Sequence, residues 1–521
     1  MIVFFSVFLF SCTQSTTDFS NRELSFDNDW KFYRGTVSGA EIPAFNDSQW
    51  RNLDLPHDWS IDDLPAISGK KQIGPFSEES EGKGSTGHVV GGTGWYRKTF
   101  TTESSLKNKI VQICFDGVYM ESNVWINGQH VGFHGNGYTP FSYDLTPYLK
   151  HAGEKNTLAV WVNNPGKNSR WYSGSGIYRH VKLQVTGLVN IPVCGTFIST
   201  PEVSAEKATV KVLTKVDNST SEAIDVTVST SILSPEGIQV AQIESSLKTN
   251  SGKTAEAEQK LEVKTPVRWS VDSPKLYQAV SEIRYNGNTI DQKKTVFGIR
   301  SIEFSAEKGF LLNGERILLK GGCMHHDNGP LGSATIDRAE ERRVELMKKF
   351  GFNAIRTSHN PPSSQFLDAC DRLGVLVIDE AFDQWQRPKN PDDYSNYFNK
   401  DHKQDLEAMV LRDRNHPSII LWSIGNEIPE RADSSGLKIT KELSSIIKNL
   451  DKTRPVTEAI CEFWDKKGRP WEDTAPAFAL LDVGGYNYQW KRYESDHETF
   501  PNRMMAGTES VPKEAFENWQ M

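Results

Sequence analysis

The sequence predicts a multidomain β plus α/β protein in which two β-sandwiches precede a parallel (β/α)8 barrel. Three observations predict it. From about residue 24 to 185, short alternating apolar runs are separated by Gly, Asn, Asp and Pro. From 187 to 300, Lys, Thr, Ser, Val and Glu dominate, Gly is sparse and the strands alternate cleanly. From about 302, continuous apolar strands alternate with amphipathic helices, the pattern of a sheet buried on both faces.

The 521 residues suffice for about three domains. The expected boundaries are 1–20 for a leader, 21–186 and 187–300 for the sandwiches, and 301–521 for the barrel. With 37% hydrophobic, 24% charged and 11% aromatic residues, the chain is too aromatic for disorder and lacks the apolar runs of a polytopic membrane protein. A net charge of −8 offers no basic surface for phosphate backbones, which argues against nucleic acid as a partner. Six scattered Cys, with no C-x-x-C pair, predict neither a zinc module nor a disulfide framework.

Residues 2–10 are almost wholly apolar and end at Leu9-Phe10-Ser11-Cys12. The run is too short to span a bilayer and fits a secretory leader, with Ser11-Cys12 resembling a bacterial lipobox. The expectation is export across the inner membrane, with the protein periplasmic or membrane-anchored through a lipidated Cys12, the alternative being a plain cleaved signal. Oligomeric state is left open.

In the first sandwich, Val111–Phe115 and Ser122–Ile126 read as strands, and Asn127-Gly128 after the second is a hairpin signal because both residues accept positive φ. Segment 69–94 is Gly-rich and charged and reads as an extended loop. Ala208–Val216 and Ile224–Ile232 are strands of an immunoglobulin-like sandwich that carries few chemical groups and reads as a spacer.

The barrel begins with strand Ile317–Gly321 and helix 337–350, with Asp337 as N-cap. Strand Asn353–Arg356, helix 363–372, strand Val375–Asp379 and a helix near 396–414 follow. Next come strand Ile419–Ile424, helix 435–450 and strands Val456–Ile460, Leu481–Tyr486 and Arg503–Gly507. That makes seven strands. An eighth does not fit in the residues that remain, so the barrel is expected to be incomplete at its C-terminal end and the chain a fragment or truncated product, with Phe516, Trp519 and Met521 as the start of a helix.

In such barrels reactive groups lie at the C-terminal ends of strands. Those ends are unusually polar here: His325-His326-Asp327-Asn328, Arg356-Thr357-Ser358-His359-Asn360, Asp379-Glu380, Gly425-Asn426-Glu427, Tyr486-Asn487-Tyr488 and Gly507-Thr508-Glu509. Glu427 and Glu509, on the fourth and seventh strands, face each other across a closed barrel. Two carboxyl groups about 5–5.5 Å apart suit a retaining glycosidase, one as nucleophile and the other as acid and then base. Glu509 would have to stay ionised, with Arg356 and the Tyr488 hydroxyl as donors. Glu427 would have to hold a proton, which leaves Asn426 free for a sugar 2-hydroxyl. Glu380 and Asp379 remain rival carboxylates.

These strand ends strongly resemble glycoside hydrolase family 2, the β-galactosidase and β-glucuronidase group. The resemblance covers about residues 24 to 521. Its carriers in the sandwiches are Asn127-Gly128 through Phe141, Asp144-Leu145-Thr146, Ser175-Gly176-Ile177-Tyr178-Arg179 and Phe297-Gly298-Ile299-Arg300. In the barrel they are Leu312-Asn313-Gly314, Lys320-Gly321-Gly322, Asn353-Ala354-Ile355-Arg356, Ser358-His359-Asn360-Pro361, Asp379-Glu380-Ala381 and Gly425-Asn426-Glu427. The resemblance implies a jelly-roll sugar-binding-like domain, an immunoglobulin-like sandwich and the barrel. It also implies Glu427 as acid/base, Glu509 as nucleophile, His325 and His359 as sugar contacts, Asn426 as the partner of the 2-hydroxyl, and Tyr488 as the residue that orients the nucleophile in the substrate site.

Three departures stand out. Gln384 and Gln386 replace the Glu and His of the magnesium-binding relatives, so no catalytic metal or other cofactor is expected. Arg170-Trp171 replaces the stretch that sends an Asp towards galactose. The residues with which β-glucuronidases grip the sugar carboxylate would fall after residue 521. The run Gly321–Gly332 looks most like β-galactosidase-like members of secreted polysaccharide-degrading systems. It implies an exo-acting β-galactosidase, with a β-glucuronidase or other exo-β-glycosidase as the alternative. A non-catalytic carbohydrate-binding protein with a vestigial barrel is the alternative of another class.

Of the remaining features, Cys323 reads as a small buried residue. His325-His326 point to opposite faces and do not form a metal cluster. Trp385, Trp464 and Trp490 are candidate sugar platforms or lid contacts, Trp464 being the one assigned to substrate. His57-Asp58-Trp59 reads as structural, and Asn218-Ser219-Thr220 matches a glycosylation acceptor.

Overall fold

The computed structural model describes residues 22–511 and 513, apart from 63–71, 74, 75 and 79. The leader with Cys12 and the segment carrying Phe516, Trp519 and Met521 lie outside the described residues.

Two antiparallel sheets form the first sandwich. One has the order Glu23–Ser25, Val181–Thr186, Ile110–Phe115, Phe141–Asp144; the other runs Arg51–Leu53, Trp30–Arg34, Gly92–Thr101, Lys155–Asn164, Glu121–Ile126, Gln129–His134. Alternation puts Trp30, Phe32, Val124 and Val160 of the larger sheet against Ile113, Phe115 and Val181 of the smaller. The Asn127-Gly128 turn takes φ of 52° and 83° and joins its two strands as the sequence predicts. Residues 189–297 form two further antiparallel sheets, one on Lys207–Asn218 and one on Ile224–Leu233, packed through Val210, Val212, Ile232 and Val263.

The barrel strands are β1 (Gly321–Met324), β2 (Ala354–Thr357), β3 (Leu376–Glu380), β4 (Ile419–Asn426), β5 (Val456–Ile460), β6 (Gly484–Asn487) and β7 (Met505–Glu509), all parallel and in sequence order. The intervening helices include α1 (Asp337–Lys349), α2 (Ser364–Leu373), α3 (Ser395–Asp413) and α4 (Ser434–Leu450). The first strand lies later than the sequence predicts. Ile302–Ser305, Gly309–Leu312 and Glu315–Arg316 instead make a small antiparallel sheet whose Phe310 and Leu312 pack on Leu376 and Ile420, closing the N-terminal ends of the strands.

Asp337 is not the N-cap of α1. Ile336 occupies that position, and the Asp337 carboxylate faces His180 Nε2 at 2.8 Å, a contact to the first sandwich that outcompetes capping. Cys323 is exposed rather than buried: among the described residues no strand pairs with the outer edge of β1, so solvent reaches the thiol. The ring is nearly closed, because the Cys323 thiol meets the Thr508 carbonyl of β7 at 3.5 Å.

The first sandwich docks on the barrel mouth. Thr139 Oγ1 donates to Asp405 at 2.7 Å, Arg179 Nη2 to the Pro361 carbonyl at 2.9 Å, and the Ser333 amide to buried Asp58 at 2.9 Å. Asp58 also accepts from the Tyr172 hydroxyl and the Ser60 amide, which makes His57-Asp58-Trp59 a structural knot.

His416, after α3, sits 2.6 Å from Asp371 of α2 at the opposite end of the barrel. Burial lowers its basicity, but the Asp371 contact outweighs this and raises it to about 9. An unfolded His releases its proton near 6.5. The stabilisation is therefore complete below that pH and lost as pH climbs through about 9. It is worth about 2–3 kcal/mol. Thermal melts are expected to weaken between pH 7 and 9.5, and His416→Gln to flatten that slope.

Candidate active site

Every polar cluster singled out in the barrel sequence lies at the mouth, because parallel strands present their C-terminal ends together. Glu427 follows β4 and takes φ of +46°, a left-handed turn costly for a residue with a Cβ. Its amide donates to the Ala459 carbonyl of β5 at 2.8 Å, which holds the turn. Tyr488 repeats the device after β6, with φ of +59° and its amide on the Glu509 carbonyl at 2.8 Å.

Glu509 ends β7. Its Oε2 accepts from Arg356 Nη1 and Asn487 Nδ2, each at 3.1 Å, and its Oε1 accepts from the Tyr488 hydroxyl. Three donors thus meet the carboxylate, and Thr508 Oγ1 in turn donates to Asn487 Oδ1 at 2.7 Å and orients that amide. Arg356 is buried and also donates to Glu380 (2.7 Å) and to Asn426 Oδ1 (2.8 Å). Burial opposes its charge, yet Glu380 and Glu509 hold the guanidinium protonated more firmly than usual.

Asn426 differs from the sequence expectation. Its Oδ1 is filled by Arg356 and Asn487, the latter at 3.0 Å, and its Nδ2 donates to Asp383 at 2.9 Å. One amide N–H is left for a ligand, so Asn426 is a structural link between the two halves of the site as well as a sugar contact candidate. Arg356 is likewise behind the site rather than open to it.

Glu380 is locked by Arg356, His359 Nδ1 at 2.7 Å and Ser423 Oγ at 2.6 Å. Burial would raise its pKa, but Arg356 and His359 bring it below the usual carboxylate value. Asp379 points the other way, towards Asp413 and Arg412, and burial and Asp413 push its pKa well up. Neither rival carboxylate is accessible.

His325 and His359 sit with Trp171, which lies 4.8 Å from the His325 ring and 5.6 Å from that of His359. Burial, then His359, pushes His325 down to about 4, so it is neutral at ordinary pH, and its buried Nδ1 has no partner among the described residues. His326 turns away to the Ser173 carbonyl at 3.0 Å. Trp385 is wholly buried, its Nε1 donating to the Ile424 carbonyl, and cannot be a platform. Trp464 is exposed on the rim beside Glu427.

Three stretches of the chain match sequence profiles of one family. Residues 85–187 match its "sugar binding domain", 195–300 its central region, described as "Glycosyl hydrolases family 2", and 304–467 its "TIM barrel domain". The chain belongs to glycoside hydrolase family 2.

Within the family, the chain is 41% identical to "Beta-galactosidase BoGH2A" of Bacteroides ovatus over 96% of its own length and 60% of that protein's. It is 37% identical to a "Putative beta-glucuronidase" of Formosa agariphila over 85% and 40% of the two lengths. The solved family 2 member from Bacteroides cellulosilyticus superposes with a TM-score of 0.91 at 45% identity, covering 96% of this chain and 63% of that one. The Bacteroides uniformis β-glucuronidase gives a TM-score of 0.78 at 28% identity, covering 93% and 58%. The chain thus spans about 60% of the length of the B. ovatus protein and of the B. cellulosilyticus structure, and 40% of that of the F. agariphila protein.

Seen as a family 2 site, this one carries a cluster that strand-end reasoning misses. Arg170, from the first sandwich, grips Asp383 with Nε and Nη2 at 3.0 and 2.7 Å and brings Nη2 to 3.9 Å from the Glu427 carboxylate. Lys389 joins from beyond β3, its Nζ 2.8 Å from both Asp383 and the Asn426 carbonyl. Burial would raise the Asp383 pKa, but these two cations hold it well below the usual value. Arg170 was visible in the sequence only as a departure from the family pattern.

Gln384 is buried at the mouth and Gln386 donates to Asn399 at 2.7 Å. Among the described residues, the group able to converge on a metal is Asp368, Asp371 and His416, at the far end of the barrel from Glu427 and Glu509.

Proposed function

We propose that the protein is a retaining exo-β-glycosidase whose preferred substrates are terminal β-galactosides of oligo- or polysaccharides. The observation that carries this is the linkage of two carboxylates through one shared network. Arg356 and Asn487 each bridge Glu509 to Asn426, whose neighbour is Glu427. Glu509, aimed by Arg356, Asn487 and Tyr488, attacks the anomeric carbon while Glu427 protonates the departing oxygen. Glu427 then takes a proton from water, which releases the sugar with its original anomeric configuration. His325, His359 and the remaining Asn426 N–H face the sugar hydroxyls, and Tyr488 orients the nucleophile.

The β-galactoside preference is supported by the name of the B. ovatus relative. A β-glucuronide is the second reading. It is favoured by the names of other relatives and by Arg170, whose side chain is 36% exposed beside Glu427 and brings positive charge to the mouth. Chromogenic β-galactoside and β-glucuronide assays decide between them, and proton NMR of the first-formed sugar is expected to show the β-anomer. Absence of turnover on every β-glycoside would favour the non-catalytic carbohydrate-binding alternative.

We also propose, from residues 2–12, that the protein is exported and carries a lipid on Cys12. Mass spectrometry of the membrane fraction is expected to find the modified N-terminus.

A further inference from the structure

A cleft of about 600 Å3 opens on one side of Glu427. Trp464, Tyr488, Lys491, Arg492 and Glu462 line it, whereas Trp171, His325 and His359 do not. Glu427 is itself one of the walls, whereas Glu509 meets the cleft only through its partners Asn487 and Tyr488, so the cleft opens on the acid and runs past the nucleophile.

Trp464 is 59% exposed, and no other tryptophan among the described residues is counted as exposed. An exposed indole on a loose loop would mean little, but this loop is tied down on both sides. Arg431 donates to the Cys461 carbonyl at 3.1 Å and to Asp465 at 2.6 Å, and its guanidinium lies over the Phe463 ring. Lys466 bonds the Pro429 carbonyl at 2.8 Å and Asp433 at 2.9 Å. The chain thus buries Phe463 and fixes its neighbours while leaving Trp464 bare. A flat ring held rigidly in solvent is what the apolar face of a sugar stacks on.

A proton donor must reach the oxygen that it protonates, so the departing group must occupy the side of the site on which Glu427 stands. We infer that this cleft receives the leaving group, that Trp464 is its stacking platform, and that the leaving group is itself a sugar residue, with Lys491, Arg492 and Glu462 meeting its hydroxyls at the rim. The inference rests on Glu427 being the acid.

The test uses the full chain and one glycone, the one that the wild type hydrolyses, carried on methanol and on a second sugar, and compares variant with wild type so that the difference in leaving-group acidity cancels. The wild type is expected to prefer the disaccharide, and Trp464→Ala to lower the ratio of the two kcat/KM values about tenfold, with Trp464→Phe keeping most of it. Equal losses on both substrates, or an unchanged ratio, would overturn the inference while leaving the glycosidase reading intact. A wild type that cleaves neither substrate would overturn both.

Discussion

Under the proposed mechanism, Glu509→Gln is expected to lower kcat by more than about 10⁴-fold on every substrate, because it removes the carboxylate assigned to form the glycosyl-enzyme bond. The amide is isosteric but carries two N–H groups into a cage of donors, where Arg356, Asn487 and Tyr488 already point at the carboxylate. The amide can keep its oxygen on Arg356 and Asn487 and turn its Nε2 to the Tyr488 hydroxyl, which can accept, so the activity is lost with little loss of stability. Glu427→Gln behaves differently. General acid catalysis contributes about 10²–10⁴-fold, and the loss shrinks for a nitrophenolate that departs without a proton. Comparing sugar and nitrophenyl leaving groups in both variants separates the roles: a leaving-group-dependent loss marks the acid, and a uniform one marks the nucleophile. The opposite pattern would exchange the assignments.

How much of this was legible in the sequence depends on how local the cause is. Six of the seven barrel strands were readable in place, because strands buried on both faces are continuous apolar runs and their polar ends stand out against them. The start of β1 was misplaced because Ile317–Leu319 is apolar for another reason: Ile317 and Leu319 pack with Phe310, Leu312 and Leu376 beneath the barrel. Site residues supplied by strand ends could be found by position. Arg170 could not, since its partner Asp383 is 213 residues away and the docking of the sandwich alone brings them together. Trp385 and Trp464 look alike as aromatics beyond a strand. What separates them is that Trp385 meets Phe398 of α3 in the core while Trp464 projects from a loop whose other residues are anchored. The spare capacity of Asn426 was overread for a similar reason, because its three partners come from β2, β6 and the segment after β3.

In the proposed mechanism Arg356 serves both the fold and the chemistry, so its removal is expected to be the most damaging change at a residue that does not touch the reacting bond. Its guanidinium spans Glu380, Asn426, Glu509 and the Thr508 carbonyl from one buried position. Arg356→Met strands Glu380, which is fully buried and keeps only His359 and Ser423, and breaking one side of a buried ion pair costs about 3–5 kcal/mol. Arg356→Lys retains the charge, but a single ammonium cannot make the fork of bonds to three side chains, so Glu509 loses its alignment with the acid. A drop of about 10²-fold in kcat with a smaller loss of melting temperature is expected for Lys. The double variant Arg356→Met/Glu380→Gln discharges the stranded carboxylate and should regain much of the stability lost in Arg356→Met while regaining almost none of the activity. If activity returned together with stability, the role of Arg356 would be confined to folding, and Asn487 with Tyr488 would be enough to aim the nucleophile.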